Sequence, residues 1–176
     1  MPVANTPPKL TRAQEIQTII KCGKDPVYFI NNFVRIQHPG RGIIPFDTYP
    51  FQDDCVKAFQ DHRWNIVLKS RQLGLSTITA AFALWLAIFH KDKAILVIAT
   101  KLPTAVNFIK KVKVMWSNLP KWLLITDLAN DTRQELVFKC GSSIKAVPTS
   151  ADAGRSEALS LLIIDEAAWI DGFDDL

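Results

Sequence analysis

Cysteine is scarce in this 176-residue sequence: Cys22, Cys55 and Cys140 lie far apart, with no C-x-x-C pair and no paired histidines. That spacing excludes a disulfide framework and a zinc site, and it leaves three free thiols. No apolar run reaches the ~20 residues a membrane-spanning helix needs. Residues 78–89, the most apolar stretch, read instead as a helix buried on most sides. Met1-Pro2-Val3-Ala4-Asn5 opens no charged-then-apolar segment of the secretory kind, which predicts a protein that stays in the cytoplasm. Internal repeats and low-complexity segments are absent as well. What is present, 48% hydrophobic residues in a chain of this length, suffices for one soluble domain with a proper core.

The net charge of +4 is unevenly distributed. Between residues 91 and 121, Lys91, Lys93, Lys101, Lys110, Lys111, Lys113 and Lys121 face only Asp92, whereas residues 157–176 contain acids and no base. A basic stretch of this kind suits nucleic-acid phosphates, although a lysine-rich helix is more often a solvated face.

The stretch around which the chain is organised is Asn65-Ile66-Val67-Leu68-Lys69-Ser70-Arg71-Gln72-Leu73-Gly74-Leu75-Ser76-Thr77. An apolar strand is expected to run into a polar loop at Gly74, with a long apolar helix starting at Ser76-Thr77. This is the layout of a phosphate-binding loop, in which N–H groups at a helix N-terminus point at an anion. The literal G-x-x-x-x-G-K-[ST] pattern is broken, because Leu75 holds the lysine position and Lys69 holds that of the first glycine. A lysine acts there as a mobile point charge, so one rooted at the loop's start serves the same phosphates. An ordinary strand-turn-helix junction is the alternative. Downstream, Leu161-Leu162-Ile163-Ile164-Asp165-Glu166 is a buried strand delivering two acids at its C-terminal edge. One acid could hold Mg²⁺ through its water shell and the other orient a water against a terminal phosphate. A solvated acidic turn is the competing reading, and it weakens beside Lys69, Arg71 and Ser76.

Elsewhere the spacing predicts a helix from Arg12 to about Lys21, capped by Thr11 with Gln14 three residues on, and a second helix opened by Asp25-Pro26. Pro39-Gly40-Arg41-Gly42 and Pro45 form a turn-rich connector, dividing a helical lead (1–45) from a core (46–176). Gln52, followed by a helix over 53–60, has the donor and acceptor needed for an adenine edge, with aromatic neighbours to stack on the base. On its own it is a surface glutamine. Residues 94–100 read as a second strand and 103–119 as a helix, so strand and helix alternate as in a parallel sheet with crossovers. Residues 135–147 read as a β-hairpin with a two-residue turn at Gly141-Ser142. The polar loop 149–156 carries Arg155, placed to sense phosphate or simply a surface arginine.

Together, Phe51-Gln52, Lys69 to Thr77, the Ala-Gly-Arg step ending at Arg155, and Leu161 to Trp169 resemble the N-terminal ATPase region of the large terminase subunit of tailed bacteriophages. The resemblance implies an α/β fold of P-loop NTPase type, a mostly parallel sheet flanked by helices, binding ATP and Mg²⁺. It implies Gln52 as the adenine sensor, and Lys69, Ser70, Arg71, Gln72, Leu73, Gly74, Leu75, Ser76 and Thr77 as the nucleotide-binding loop. It further implies Ser76 and Asp165 as Mg²⁺ ligands, Arg71 as the residue acting on the γ-phosphate, and Glu166 as the catalytic carboxylate. The implied setting is a host cytoplasm, with double-stranded DNA, a portal protein and a small terminase subunit as partners, a homo-oligomeric ring and no membrane. In the family a further strand and a nuclease domain follow the acid-bearing strand. Neither lies within these residues, so the expectation is a core truncated after that strand. A helicase or translocase core, and a non-catalytic module acting through partner binding, are the alternatives.

Overall fold

In the computed structural model, which describes residues 10–149 and 158–169, the first helix forms where its cap sits. The Thr11 N–H donates to Gln14 Oε1 at 2.8 Å, and the Gln14 N–H returns to Thr11 Oγ1. With both donors satisfied, α1 runs Arg12–Lys24, and α2 (Pro26–Phe33) starts directly after Asp25, whose Oδ1 accepts from the Tyr28 N–H at 2.8 Å. The turn-rich connector is an antiparallel hairpin, β1 (Arg35–His38) with β2 (Gly42–Pro45). Next come α3 (Pro50–Asp61) and the apolar α4 (Leu75–Phe89). Ten of α4's residues are buried. Its Trp85 donates its indole N–H to the Cys22 carbonyl at 2.7 Å, tying α4 to α1.

The second half builds the sheet. Its strands are β3 (Ala94–Ala99), β4 (Leu128–Asp131), β5 (Glu135–Phe138), β6 (Ser143–Pro148) and β7 (Leu161–Asp165), with α5 (Leu102–Ser117) between β3 and β4. The order is β4-β5-β6-β3-β7. β3 pairs parallel with both β6 and β7, whereas β4-β5 and β5-β6 are antiparallel. The fold is therefore α/β with a mixed sheet flanked by helices, not a mostly parallel one. The difference comes from the short connections around β5, which permit only antiparallel neighbours. β4 falls on Leu-Ala-Asn-Asp, a sequence with no strand pattern to read. Its hairpin partner turns through three residues, with the Phe138 N–H closing onto the Ser142 carbonyl at 2.8 Å and Gly141 at φ +86°. A left-handed third position is what that loop length requires, so the expected two-residue turn does not form.

β3 is buried on both faces, as a central strand is. Ile95, Val97 and Ala99 join the main core with α4 and α5, while Leu96 and Ile98 pack on the other face with Val147, Leu159 and Ile164. Cys22, Phe29 and Ile30 of the first two helices belong to that same main core. The strand expected over 65–68 is not observed among the described residues. β3 has both edges filled, β7 pairs with β3 alone, and Ile66 and Leu68 are fully exposed. Strand composition without a ladder partner does not make a strand. No helix among the described residues is long and apolar enough to cross a membrane.

Candidate functional site

The polar loop closes where the sequence places it. Gly74 is the N-cap of α4 at φ +71°, and its carbonyl accepts from the Thr77 and Ile78 N–H groups at 2.9 and 3.0 Å. The N–H groups of Leu75 and Ser76 have no acceptor among the described residues, as expected for the first turn of a helix. They present partial positive charge at the mouth of the loop. Gln72 also has positive φ, +65°, so two of the loop's residues take the left-handed conformation. Ser70, Arg71, Gln72 and Leu73 are exposed, Thr77 is half-buried, and Leu75 is buried against the core.

Across the loop lies the C-terminal end of β7. Ser76 Oγ donates to Asp165 Oδ2 at 2.7 Å, and Lys69 Nζ lies 3.8 Å from Asp165 Oδ1. Three residues that the sequence separates by up to 96 positions (165 − 69) thus share one carboxylate. Both ends of the pairing are largely withdrawn from solvent, with the Lys69 side chain 29% and Asp165 14% exposed. Glu166, next along, turns out of the strand at φ +60° and is exposed. A non-glycine residue held there costs about 1–3 kcal/mol, and such strain is concentrated at functional sites. Arg71 and the Glu166 carboxylate make no hydrogen bond or ion pair among the described residues. Arg155 and the rest of its loop, 150–157, lie outside them.

Gln52 is 2% exposed and braces the loop from behind. Its Oε1 accepts from the Tyr49 N–H at 3.1 Å, and its Nε2 donates to the Leu73 carbonyl at 2.9 Å. One donor hydrogen and one acceptor lone pair of the amide remain for another partner. Beside it Tyr49 and Phe51 stack with ring centroids 5.7 Å apart, and both rings are exposed.

Sequence reasoning missed two features. The first is this bracing of Leu73, which links residues 21 apart through a glutamine that also fits a surface reading. The second is Lys111 on α5, half-buried, whose pKa is pushed down by burial, partly offset by Asp165 and pushed down further by Lys69. The signal for it was the spacing, three residues after Phe108 and four before Met115, both core residues.

Ser76 Oγ and Asp165 Oδ2 are hard oxygens separated by 2.7 Å, close to the ~2.9 Å edge of an octahedron with 2.0–2.1 Å metal–oxygen bonds. They suit two adjacent positions on Mg²⁺. No group of three His, Cys, Asp or Glu residues that could hold a metal occurs among the described residues.

The family described as terminase large subunit, T4likevirus-type, N-terminal, matches residues 66–176. The match covers the loop from Lys69 to Thr77 and the acids Asp165 and Glu166, and leaves Gln52 outside. The chain therefore belongs to the terminase large subunits of the T4likevirus type, as part of their N-terminal region.

Proposed function

We propose that this chain is the ATP-hydrolysing portion of a viral DNA-packaging motor, with a P-loop NTPase site formed by residues 69–77 and 165–166. The observation that carries the reading is the meeting of Lys69 and Ser76 with Asp165 at the N-terminus of α4. A hydroxyl, an ammonium and a carboxylate at a helix start are the groups that a metal-bound polyphosphate needs. Family membership supports the same reading.

In this reading the phosphates lie over the N–H groups of Leu75 and Ser76. Lys69 releases Asp165 and turns to the β- and γ-phosphates, while Ser76 and Asp165 hold Mg²⁺. Mg²⁺, held there, would offset the charge that develops on the phosphates. Arg71, exposed in the loop, supplies a second cation at the γ-phosphate. The Glu166 carboxylate, unpaired among the described residues, orients the attacking water. No covalent intermediate is needed, so positioning and charge stabilisation provide the acceleration. For adenine to take the remaining donor and acceptor of Gln52, the amide, 2% exposed behind the loop, must be uncovered, and Tyr49 or Phe51 then lies against the base.

The setting is the host cytoplasm, where the partners are double-stranded DNA, a portal protein, a small terminase subunit and further copies forming a ring. Lys101 and Lys110 are exposed cations of the kind that contact DNA phosphates. The test is ATP turnover by the 176-residue chain in Mg²⁺ against Asp165→Asn. Turnover that disappears in the variant agrees with the proposal. Equal turnover by both chains would overturn the assigned metal role.

A further inference from the structure

We propose that Asn31 of α2 is a positioning residue for the phosphate loop, acting through Thr48 and Gln52, a role that rests on the nucleotide site proposed above. Asn31 lies in the helical lead, outside the residues that the terminase family matches. Its neighbours Phe29 and Ile30 are fully buried, and the Phe29 ring meets Phe89 at the far end of α4 with 5.3 Å between centroids. The backbone that carries Asn31 is therefore fixed to the core.

From Asn31 a continuous set of polar contacts runs to the loop. Its Oδ1 accepts from the Thr48 N–H at 3.2 Å and lies 2.6 Å from Thr48 Oγ1, while its Nδ2 donates to Asp53 Oδ1 at 3.2 Å. Thr48 Oγ1 lies equally close, 2.6 Å, to Asp53 Oδ1, so one hydroxyl proton ties the turn before α3 to both side chains. All three residues are half-buried. The turn they hold leads directly into Tyr49, whose N–H donates to Gln52 Oε1 at 3.1 Å and whose carbonyl accepts from the Gln52 N–H at 2.9 Å. Gln52 Nε2 then reaches the Leu73 carbonyl at 2.9 Å. That carbonyl belongs to the peptide joining Leu73 to Gly74, so its direction sets how the chain enters α4 and where the Leu75 and Ser76 N–H groups point. Packing of Phe29 already joins α2 to α4, and apolar side chains at 31, 48 and 53 would extend it without the cost of burying polar groups. Hydrogen bonds add a fixed direction. A paired polar network holds its side chains in one geometry, as a preorganised anion site requires.

The test is a calorimetric titration of the full 176-residue chain with Mg²⁺-ATP below the onset of unfolding, with thermal unfolding run alongside. The unaltered chain is compared with Asn31→Ala, Gln52→Ala, their combination, Lys69→Ala, and Asn31→Asp alone and together with Asp53→Asn. Asn31→Ala is expected to weaken ATP roughly three- to tenfold, the scale of one hydrogen bond. In the Gln52→Ala background the same change should alter ATP affinity by less than about twofold, because the link it acts through is gone. Asn31→Asp sets two carboxylates against each other and should weaken ATP at least as much. Adding Asp53→Asn restores a donor facing an acceptor and should recover most of the affinity. Should Asn31→Ala fail to fold, Thr48→Val, which keeps the shape and removes the hydroxyl, replaces it under the same criteria. ATP affinity unchanged in Asn31→Ala while Lys69→Ala loses it, even with a lowered unfolding temperature, would make Asn31 a structural residue and leave the nucleotide site standing. Equal weakening with and without Gln52 would also overturn the role. Failure of the unaltered chain to bind ATP would overturn it together with the reading beneath it.

Discussion

Replacing Gly74 by alanine tests how the phosphate loop is held. Gly74 sits at φ +71°, where a side chain costs about 1–2 kcal/mol in backbone strain alone. An added Cβ would also lie 2.7 Å from Gln52 Nε2, inside any tolerable contact. The Gln52 amide would then have to swing off the Leu73 carbonyl. A lost hydrogen bond costs about 0.5–1.5 kcal/mol, and a buried amide left unpaired about 1–3 kcal/mol. At 2% exposure Gln52 has no water to turn to, so Gly74→Ala should destabilise by about 2–5 kcal/mol in total. At about 2–4 °C per kcal/mol for a chain of this size, the thermal midpoint should fall by about 4–20 °C. Urea unfolding followed by tryptophan fluorescence would measure it, on a double-mutant cycle with Gln52→Ala. With the amide already removed, Gly74→Ala should cost only the backbone part, about 1–2 kcal/mol, giving a coupling of about 1–3 kcal/mol. Equal costs in the two backgrounds would refute the idea that Gln52 braces the loop.

Other predictions follow from the same geometry. Glu166→Gln should keep nucleotide affinity within a few-fold and lower turnover by ~10²–10⁴-fold; parallel loss of both, seen in binding and single-turnover assays, would sink the water-orienting role. Ser76→Ala removes the 2.7 Å bond to Asp165 and one oxygen offered to Mg²⁺, so ATP affinity should fall in Mg²⁺ and change little in EDTA. His90, whose Nε2 is buried without a partner against Trp85, has its pKa lowered by burial and by Lys93. The unfolded chain therefore binds the proton more readily. Stability should hold above the ordinary imidazole value of ~6.5 and decline as pH falls through it. In thermal melts between pH 8 and 5, roughly spanning that value, His90→Phe should show a smaller decline; identical slopes would rule out the His90 contribution.

Local chemistry explains what the sequence made legible. Thr11 with Gln14 and Asp25 with Pro26 each satisfy helix-start groups a few residues away, so they predict α1 and α2 without knowledge of the fold. The apolar run of β3 carries its burial in its composition, whereas β7, expected to be buried, pairs with β3 alone and is only half-buried, with Leu162 45% exposed; the polar break at Gly74 marks the start of α4. The convergence of Ser76 on Asp165 could be expected only because loop and strand end are each informative alone. What failed depends on neighbours. Residues 65–68 have strand composition, but a strand exists through its ladder, and none of the described strands pairs with them. β4 is held by its pairing with β5 and by the Lys139 N–H donating to the Asp127 carbonyl at 2.8 Å, neither of which alternation in Leu-Ala-Asn-Asp announces. Lys111 was hidden within a lysine-rich stretch, where charge counts suggest a solvated face. Only its position beside Phe108 and Met115 sets it apart.

The central claim, that Lys69, Ser76 and Asp165 form a nucleotide site, is tested most directly by thermal unfolding of residues 1–176 with and without Mg²⁺-ATP, alongside Lys69→Ala. A ligand that binds only the folded state stabilises it by about 2.7 kcal/mol at a hundredfold excess over Kd, which corresponds to a rise of about 5–11 °C for a chain of this size. The account predicts that rise in the unaltered chain and its loss in Lys69→Ala. A cooperative transition that Mg²⁺-ATP leaves unmoved, or a rise that Lys69→Ala retains in full, would contradict it.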